Sequence, residues 1–496
     1  MTQHPLPAML SSGLEANIRD NNPWWRAEKM YSLAPMKRWA FPLVLNRLQS
    51  GLTPAVVLRG PRQIGKTTLL LQVIEHLLAE GVQAHRIFRL QFDELPDLRK
   101  IENVILELCR WFSINILQKS FNMAAHDGEQ AYIFLDEVQN LPDWAPQLKH
   151  LVDMHPVKVL LTGSSAFAIE AGRDSLAGRI TTLDMGPLLL REISELRGFG
   201  SFAPFLPPNG LGPLREKETW RALVEFGNKH RASRQNAFKA FSERGAYPAA
   251  QTNIDQPWET LAEFLVETVI KRVIQYDLKM SAKGRPDEHL LQEVFHIASR
   301  YIGQSPGQTL YVAEIKRAMK NDIPWQRILT YLKFLDSSLL LRLVKPLELR
   351  LRKRLGYAKL CLCDHALRAA WLQEMIPLDP EGLEKVPHLY DLAGRIAEST
   401  VGYFFSSITW LNVAHLPERG AEPEVDFVLT IGDQRIPVEV KYRRHIDHKD
   451  TKGLRAFIET NYYNAPFGIL VTLTDEPGTD DPRIISMPLS TLLLLR

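Results

Sequence analysis

Apolar residues along this chain fall into short continuous runs and longer amphipathic stretches, and the order in which these alternate divides it. Between Phe41 and Leu190 the two kinds take turns. Ala55-Val-Val-Leu-Arg-Gly60 reads as a buried strand, and Lys66 to Gly81 as a helix ending at a C′ glycine. The runs starting near Ile87, Tyr132 and Val157 are further strands bounded by turn signals. Buried strands separated by helices predict a parallel sheet covered on both sides. A Gly- and Pro-rich loop at residues 198–213 ends this pattern. The chain is then mainly helical as far as Leu339. It alternates over Leu340–Asp364 as a β-ribbon, and from Leu389 it reads helix, strands, helix, strand.

Five segments follow: a lead-in over residues 1–37, an α/β core over 38–200, a helical connector over 214–285, three helices with the ribbon over 286–375, and a last α/β domain over 385–496. Several domains suit 496 residues, which are too many for one core. The lead-in carries Trp24 and Trp25, with Trp39 just beyond it, and is expected to pack on the first domain.

The loop between the first strand and its helix is Gly60-Pro61-Arg62-Gln63-Ile64-Gly65-Lys66-Thr67, followed by Thr68. It matches the phosphate-binding pattern G-x-x-x-x-G-K-[ST] in the setting that pattern requires. Gly60 and Gly65 permit the dihedrals that turn successive N–H groups toward phosphate oxygens, and the helix start adds its positive end. Lys66 can reach the β- and γ-phosphates of ATP, and the Thr67 hydroxyl can ligate Mg²⁺. The strand Tyr132-Ile-Phe-Leu ends in Asp136-Glu137. Asp136 is the expected partner of Mg²⁺, and Glu137 is placed to orient or deprotonate the attacking water. Downstream, Thr162-Gly163-Ser164-Ser165 puts Ser164 forward as a polar group near the γ-phosphate, or as an ST-turn capping the next helix. In Ser175-Leu-Ala-Gly178-Arg179, the arginine can meet phosphate in cis, serve a neighbouring subunit, or lie on the surface. Arg173 is its competitor.

Taken in order, GPRQIGKTTLL, YIFLDEVQNL, LTGSSA and SLAGR resemble the prokaryotic AAA+-superfamily ATPases of the AAA_14 type that carry a DUF4143 region. The resemblance implies an α/β fold class: a P-loop NTPase parallel sheet, then a helical lid and a winged-helix element, then a C-terminal domain similar to PD-(D/E)xK nucleases. Gly245-Ala-Tyr247-Pro248 matches the lid motif, which implies Pro248 near adenine; a simple turn explains the string equally well. The resemblance also hints at assembly into homo-oligomers.

Residues 289–301, 311–319 and 324–337 read as three short helices before the ribbon, which suits a helix-turn-helix variant with a wing. The ribbon carries Arg342, Lys345, Arg350, Arg352, Lys353, Arg354 and Lys359 against Glu348 and Asp364. Such one-sided charge suits contact with nucleic acid phosphates, through Arg350, Arg352, Lys353 and Arg354 in particular. A solvated hairpin, or a basic face toward another domain, is the alternative. The overall net charge of +3 does not separate the two.

In the last domain Glu439-Val440-Lys441 puts both charges on one face of a strand. A hairpin at Gly432-Asp433 brings Asp426 alongside, and Glu398 lies on a preceding helix. Asp426 and Glu439 can hold Mg²⁺, Lys441 can stabilise charge in a transition state, and Glu398 can ligate or position a metal. The order of elements resembles the PD-(D/E)xK core, with Val425 where the motif has proline. The alternative is a domain of nuclease ancestry whose charged set survives as salt bridges.

The three cysteines have no ligand-like spacing, the first twenty residues show no signal-peptide pattern, and no apolar run is long enough to cross a bilayer. A cytoplasmic protein without membrane partners is expected. The leading reading is a Mg²⁺-dependent ATPase coupled to a C-terminal region that binds nucleic acid, DNA before RNA, with nuclease activity open. The alternatives are a nucleotide-controlled protein-interaction switch with an inactive nuclease-like domain, and a DNA-binding regulator whose ATPase sets affinity.

Overall fold

The computed structural model describes residues 10–28, 33–92, 101–163, 176–207, 210–281, 286–348, 356–418, 424–476 and 478–496. Two compact units account for the chain, Met1–Met185 and Gly186–Arg496.

The first unit is built on a parallel sheet of β1 (Ala55–Arg59), β2 (Ile87–Gln91), β3 (Tyr132–Asp136), β4 (Lys158–Gly163) and β5 (Ile180–Asp184), in the order β2-β3-β4-β1-β5. Every residue of β1 and β3 is buried, as their apolar runs require. The strand order puts β1, which leads into the glycine loop, beside β4, and β4 beside β3. The ends of β1, β3 and β4 therefore share one edge of the sheet, the carboxyl edge where open α/β sheets bind ligands. At the outer strand β2, the lead-in supplies hydrogen bonds that a further strand would have made. The Asn22 side chain accepts from Arg89 N at 2.7 Å and donates to Arg89 O at 2.9 Å. Trp24 and Trp25 both donate their indole N–H to Ile87 O, at 3.1 and 2.9 Å. Polar side chains from the lead-in thus satisfy an exposed sheet edge.

In the second unit, three helices (Glu288–Arg300, Gln308–Met319 and Trp325–Ser337) precede an antiparallel pair, β6 (Leu341–Val344) and β7 (Lys359–Leu362). A long helix, Tyr390–Ser406, follows. A mixed sheet of β8 (Asn412–Leu416), β9 (Val425–Ile431), β10 (Gln434–Lys441), β11 (Gly468–Thr472) and β12 (Ile484–Pro488) completes the unit, in the order β12-β11-β10-β9-β8. β9 and β10 form a hairpin over Gly432 and Asp433, with Gly432 at φ 65°.

One glycine sets the approach of helix to sheet. A Cβ on Gly402 would lie 2.4 Å from Cys361 Sγ on β7 and 2.7 Å from the Phe427 ring on β9. Only glycine lets the helix lie this close to both strands. Glu398, one turn earlier on the same helix face, is thereby brought to the same two strands.

Candidate functional site

The glycine loop is tight for identifiable reasons. A Cβ on Gly60 would stand 2.1 Å from Met185 O, so no side chain fits there. Gln63 and Gly65 take positive φ values of 63° and 89°, which curl the backbone before the helix Lys66–Ala79 begins. Pro61, Arg62 and Ile64 complete the curl, with Ile64 buried beneath it. Arg38, itself buried, donates from Nη1 to Ile64 O at 2.5 Å. Lys66 is 4% exposed, and its ammonium donates to Gly60 O at 3.2 Å and Pro61 O at 2.9 Å. The same nitrogen is 3.8 Å from Glu137 Oε1. Thr67 lies in the first turn of that helix, followed by Thr68.

At the end of β3, Asp136 is 1% exposed. Its Oδ1 accepts from Thr67 Oγ1 at 3.2 Å and from Thr162 Oγ1 at 2.5 Å, and its Oδ2 accepts from Arg89 Nη2 at 3.0 Å. Thr162 Oγ1 also accepts the Glu137 N–H at 3.0 Å. The hydroxyl therefore donates to one acidic residue and accepts from the backbone of the next. Glu137 takes φ 54°, and Gln139 Nε2 donates to its Oε2 at 2.5 Å. An acid on a left-handed backbone, held at its carboxylate and its amide, is fixed in direction.

A second cluster lies in the other unit. Lys359 on β7 has a side chain only 2% exposed. Its ammonium is hydrogen-bonded to Glu398 and lies 3.2 Å from Asp426 Oδ1 and 3.6 Å from Glu424 Oε1. Asp426 Oδ2 accepts the Val440 N–H at 2.9 Å. Lys441 Nζ is 2.6 Å from Glu439 Oε1, while Glu439 Oε2 is buried with no hydrogen-bond partner among the described residues.

Burial and charge pull these groups in opposite directions. Burial alone lowers the Lys359 pKa, but Asp426, Glu398 and Glu424 outweigh it and raise it. Burial, then the Asp426 charge, raise Glu398 well above the usual carboxylate range. Burial also works against ionised Asp426, yet Lys359 and the surrounding donors hold it below its ordinary value. Glu439 rises from 4.5 to about 8, through burial first and the Asp426 charge second.

Comparison with known proteins bears on both sites. Residues 52–194 match the AAA_14 family, described as an AAA domain, and residues 394–492 match DUF4143, described as a domain of unknown function. The chain thus carries a region similar to the AAA_14 domain ahead of a region similar to the DUF4143 domain. An uncharacterized protein of Haemophilus influenzae is 22% identical over 324 residues, covering 63% of this chain and 68% of that protein. An uncharacterized protein of Methanocaldococcus jannaschii is 30% identical over 139 residues, 28% of this chain and 27% of that one. One from Mycobacterium tuberculosis is 31% identical over 145 residues, 29% of this chain and 27% of that one. The chain thus matches about a quarter of the length of these last two relatives. Among solved structures, the Walker-type ATPase PABY2304 of Pyrococcus abyssi is 14% identical, with a TM-score of 0.38, over 69% of this chain and 99% of that one.

Within the AAA_14 domain, Thr67 and Asp136 offer two oxygens 3.2 Å apart at the mouth of the glycine loop. A hydroxyl beside a carboxylate is a hard oxygen donor set, and it fits Mg²⁺. Sequence reasoning missed Thr162, Arg89, Gln139 and Arg38. The strand carrying Thr162 is legible in the sequence, which puts Ser164, two positions on, forward instead. Ser164 and Arg173 lie outside the described residues, as do Arg350, Arg352, Lys353 and Arg354.

Two expectations need correction. Arg179 does not meet the glycine loop in cis. Its carbonyl accepts from Ala55 N at 3.2 Å, at the start of β1, and Gly60 follows the far end of that strand. At about 3.3 Å per residue the separation is roughly 16 Å. Its guanidinium is paired with Asp153, at 2.5 and 3.0 Å. Lys359, counted among the ribbon's surface charges, faces inward instead, because Cys361 on the same side of β7 packs on Gly402 and Lys359 follows it in.

In the DUF4143 domain the structure brings Glu398, Asp426, Glu439 and Lys441 into one neighbourhood, but the donor set does not fit a divalent cation. Lys359 holds the oxygens of Glu398 and Asp426 that would face it. Among the described residues, no three His, Cys, Asp or Glu side chains are grouped to hold a metal ion. Pro248 opens the short helix Pro248–Thr252 in the second unit. The three cysteines are buried and unpaired, and no helix among the described residues is long and apolar enough to cross a membrane.

Proposed function

We propose that this protein binds ATP with Mg²⁺ in the loop from Gly60 to Thr68 and hydrolyses it. The observation that carries the reading is the convergence of Lys66, Thr67, Asp136, Glu137 and Thr162 on one loop mouth. The loop amides and Lys66 bind the phosphates. In doing so Lys66 exchanges the carbonyls of Gly60 and Pro61 for phosphate oxygens. Thr67 and Asp136 would hold Mg²⁺, which would supply charge neutralisation on the phosphates. Glu137 takes the proton of a water whose oxygen attacks the γ-phosphorus, and the bond to the β–γ bridging oxygen breaks to leave ADP and phosphate. Thr162 keeps Asp136 and Glu137 in register. Arg179 acting in trans within a homo-oligomer stays part of the reading. Glu137→Gln tests it: the variant should retain Mg²⁺-ATP while turnover falls by about 100-fold or more. Wild-type turnover in that variant would remove Glu137 from the reaction.

The second unit is assigned contact with nucleic acid, DNA before RNA, on the strength of Arg350, Arg352, Lys353 and Arg354 in one short segment. The three helices preceding β6 and β7 suit a winged-helix element. The inward-facing Lys359 favours a DUF4143 domain that responds to ATP without cleaving. A switch acting on a protein partner is the reading left if nucleic acid does not bind. Buried, unpaired thiols suit a reducing compartment such as the cytoplasm.

A further inference from the structure

We propose that Lys359 is a built-in cation that occupies the metal position of the carboxylate cluster, so that the DUF4143 domain of this chain keeps the charged set of a metal-dependent nuclease without taking up a divalent ion. The inference is independent of the ATPase reading, since every group it uses lies in the second unit.

The ammonium touches carboxylates from two separate elements. Glu398 comes from the helix Tyr390–Ser406 and Asp426 from β9, with Glu424 at the entrance to the same strand. Asp426 is one of the two carboxylates expected to hold a metal and Glu398 the one expected to ligate or position it, while Glu439, the other expected ligand, pairs with Lys441. Lys359 also lies 5.1 Å from the Phe427 ring centroid, so the cation has an aromatic face as well as carboxylates. Its side chain is 2% exposed, which rules out a casual surface pairing. A buried ammonium persists only where opposite charge surrounds it, and this one has three carboxylates. The other Asp426 oxygen accepts a backbone N–H from Val440.

The consequence is exclusion by charge and by occupancy. A divalent cation at the Asp426 and Glu398 oxygens would sit in contact with an ammonium already bonded to them, and like charges this close repel strongly in a buried site. Lys359 lies upstream of the DUF4143 match and is delivered by β7 of the ribbon. The plug is therefore also the tie that holds the ribbon to the sheet.

Mn²⁺ titration of the full chain without nucleotide, with free Mn²⁺ read by electron paramagnetic resonance, tests this. Wild type and Asp426→Asn should bind equal amounts, since the cluster takes none. Lys359→Met should gain one Mn²⁺ per chain, and Lys359→Met/Asp426→Asn should lose it again. Lys359→Arg, which keeps the charge, should gain none. If Asp426→Asn lowers Mn²⁺ binding relative to wild type, the proposal is overturned. A Lys359→Met protein with native circular dichroism and no added site overturns it too. Should Lys359→Met fail to fold, the comparison of wild type with Asp426→Asn decides alone, read both as bound Mn²⁺ and as the shift in melting temperature that Mn²⁺ produces.

Discussion

Thr162 Oγ1 stands 2.5 Å from Asp136 Oδ1 and donates to it, while accepting the N–H of the residue after Asp136. One hydroxyl at the end of β4 thus fixes both acidic residues at the end of β3. Thr162→Val removes it at nearly constant volume. Hydrogen bonds to charged groups are worth roughly 1.5–3 kcal/mol, so kcat for ATP should fall about 10- to 100-fold with little change in nucleotide affinity. Thr162→Ser should restore most of it. A valine variant with wild-type kcat would show that the hydroxyl positions nothing the reaction uses.

Arg179 gives a prediction of the opposite kind. Its exposed pair with Asp153 lies at the strand-start edge of the sheet. Exposed ion pairs contribute little, so Arg179→Ala should change turnover by no more than roughly twofold in dilute protein. A loss that grows with protein concentration in mixing experiments would point to action across a subunit boundary. A large loss independent of concentration would contradict its placement here.

Glu439 makes the second unit sensitive to pH. Its pKa rises from 4.5 to about 8 on folding. Between those values the folded state holds a proton that the unfolded chain has released, so stability falls as pH rises. The contribution is complete below 4.5 and lost as pH passes through about 8. Thermal melts across this window should show wild type losing more than Glu439→Gln, which cannot titrate. Parallel curves for the two proteins would dismiss the group.

The basic segment can be tested through salt. Replacing Arg350, Arg352, Lys353 and Arg354 together by Ala should weaken DNA binding. It should also reduce the slope of log affinity against log salt by roughly 3 to 4, given about 0.9 per phosphate contact. Fluorescence anisotropy on duplex DNA at several salt concentrations measures this. An unchanged slope assigns the contacts elsewhere, and no binding by wild type leaves the protein-partner reading.

Much of the nucleotide site was legible because it is local. Gly60 to Thr67 are consecutive, and the carboxylates of Asp136 and Glu137 end an apolar run that reads as a strand on its own. Thr162 and Arg89 were not legible in the same way. Their importance depends on β2, β3 and β4 being neighbours in that order, which no single stretch of sequence states. Ser164, two positions beyond Thr162, lies outside the described residues. Lys359 was hidden for another reason. Beside several other basic residues it read as surface charge, and its inward direction follows from the packing of Gly402 against β7, a contact between residues forty-one positions apart. The carboxylates it meets had been found, but not their cation.

The most direct test is equilibrium binding of ATP to the full chain at millimolar Mg²⁺, measured by calorimetry on wild type and on Lys66→Ala. The pocket described here predicts one nucleotide per wild-type chain and affinity lower by at least about 10-fold in the variant. Folded wild-type protein that retains no ATP, or a Lys66→Ala protein that binds it equally well, would contradict the account.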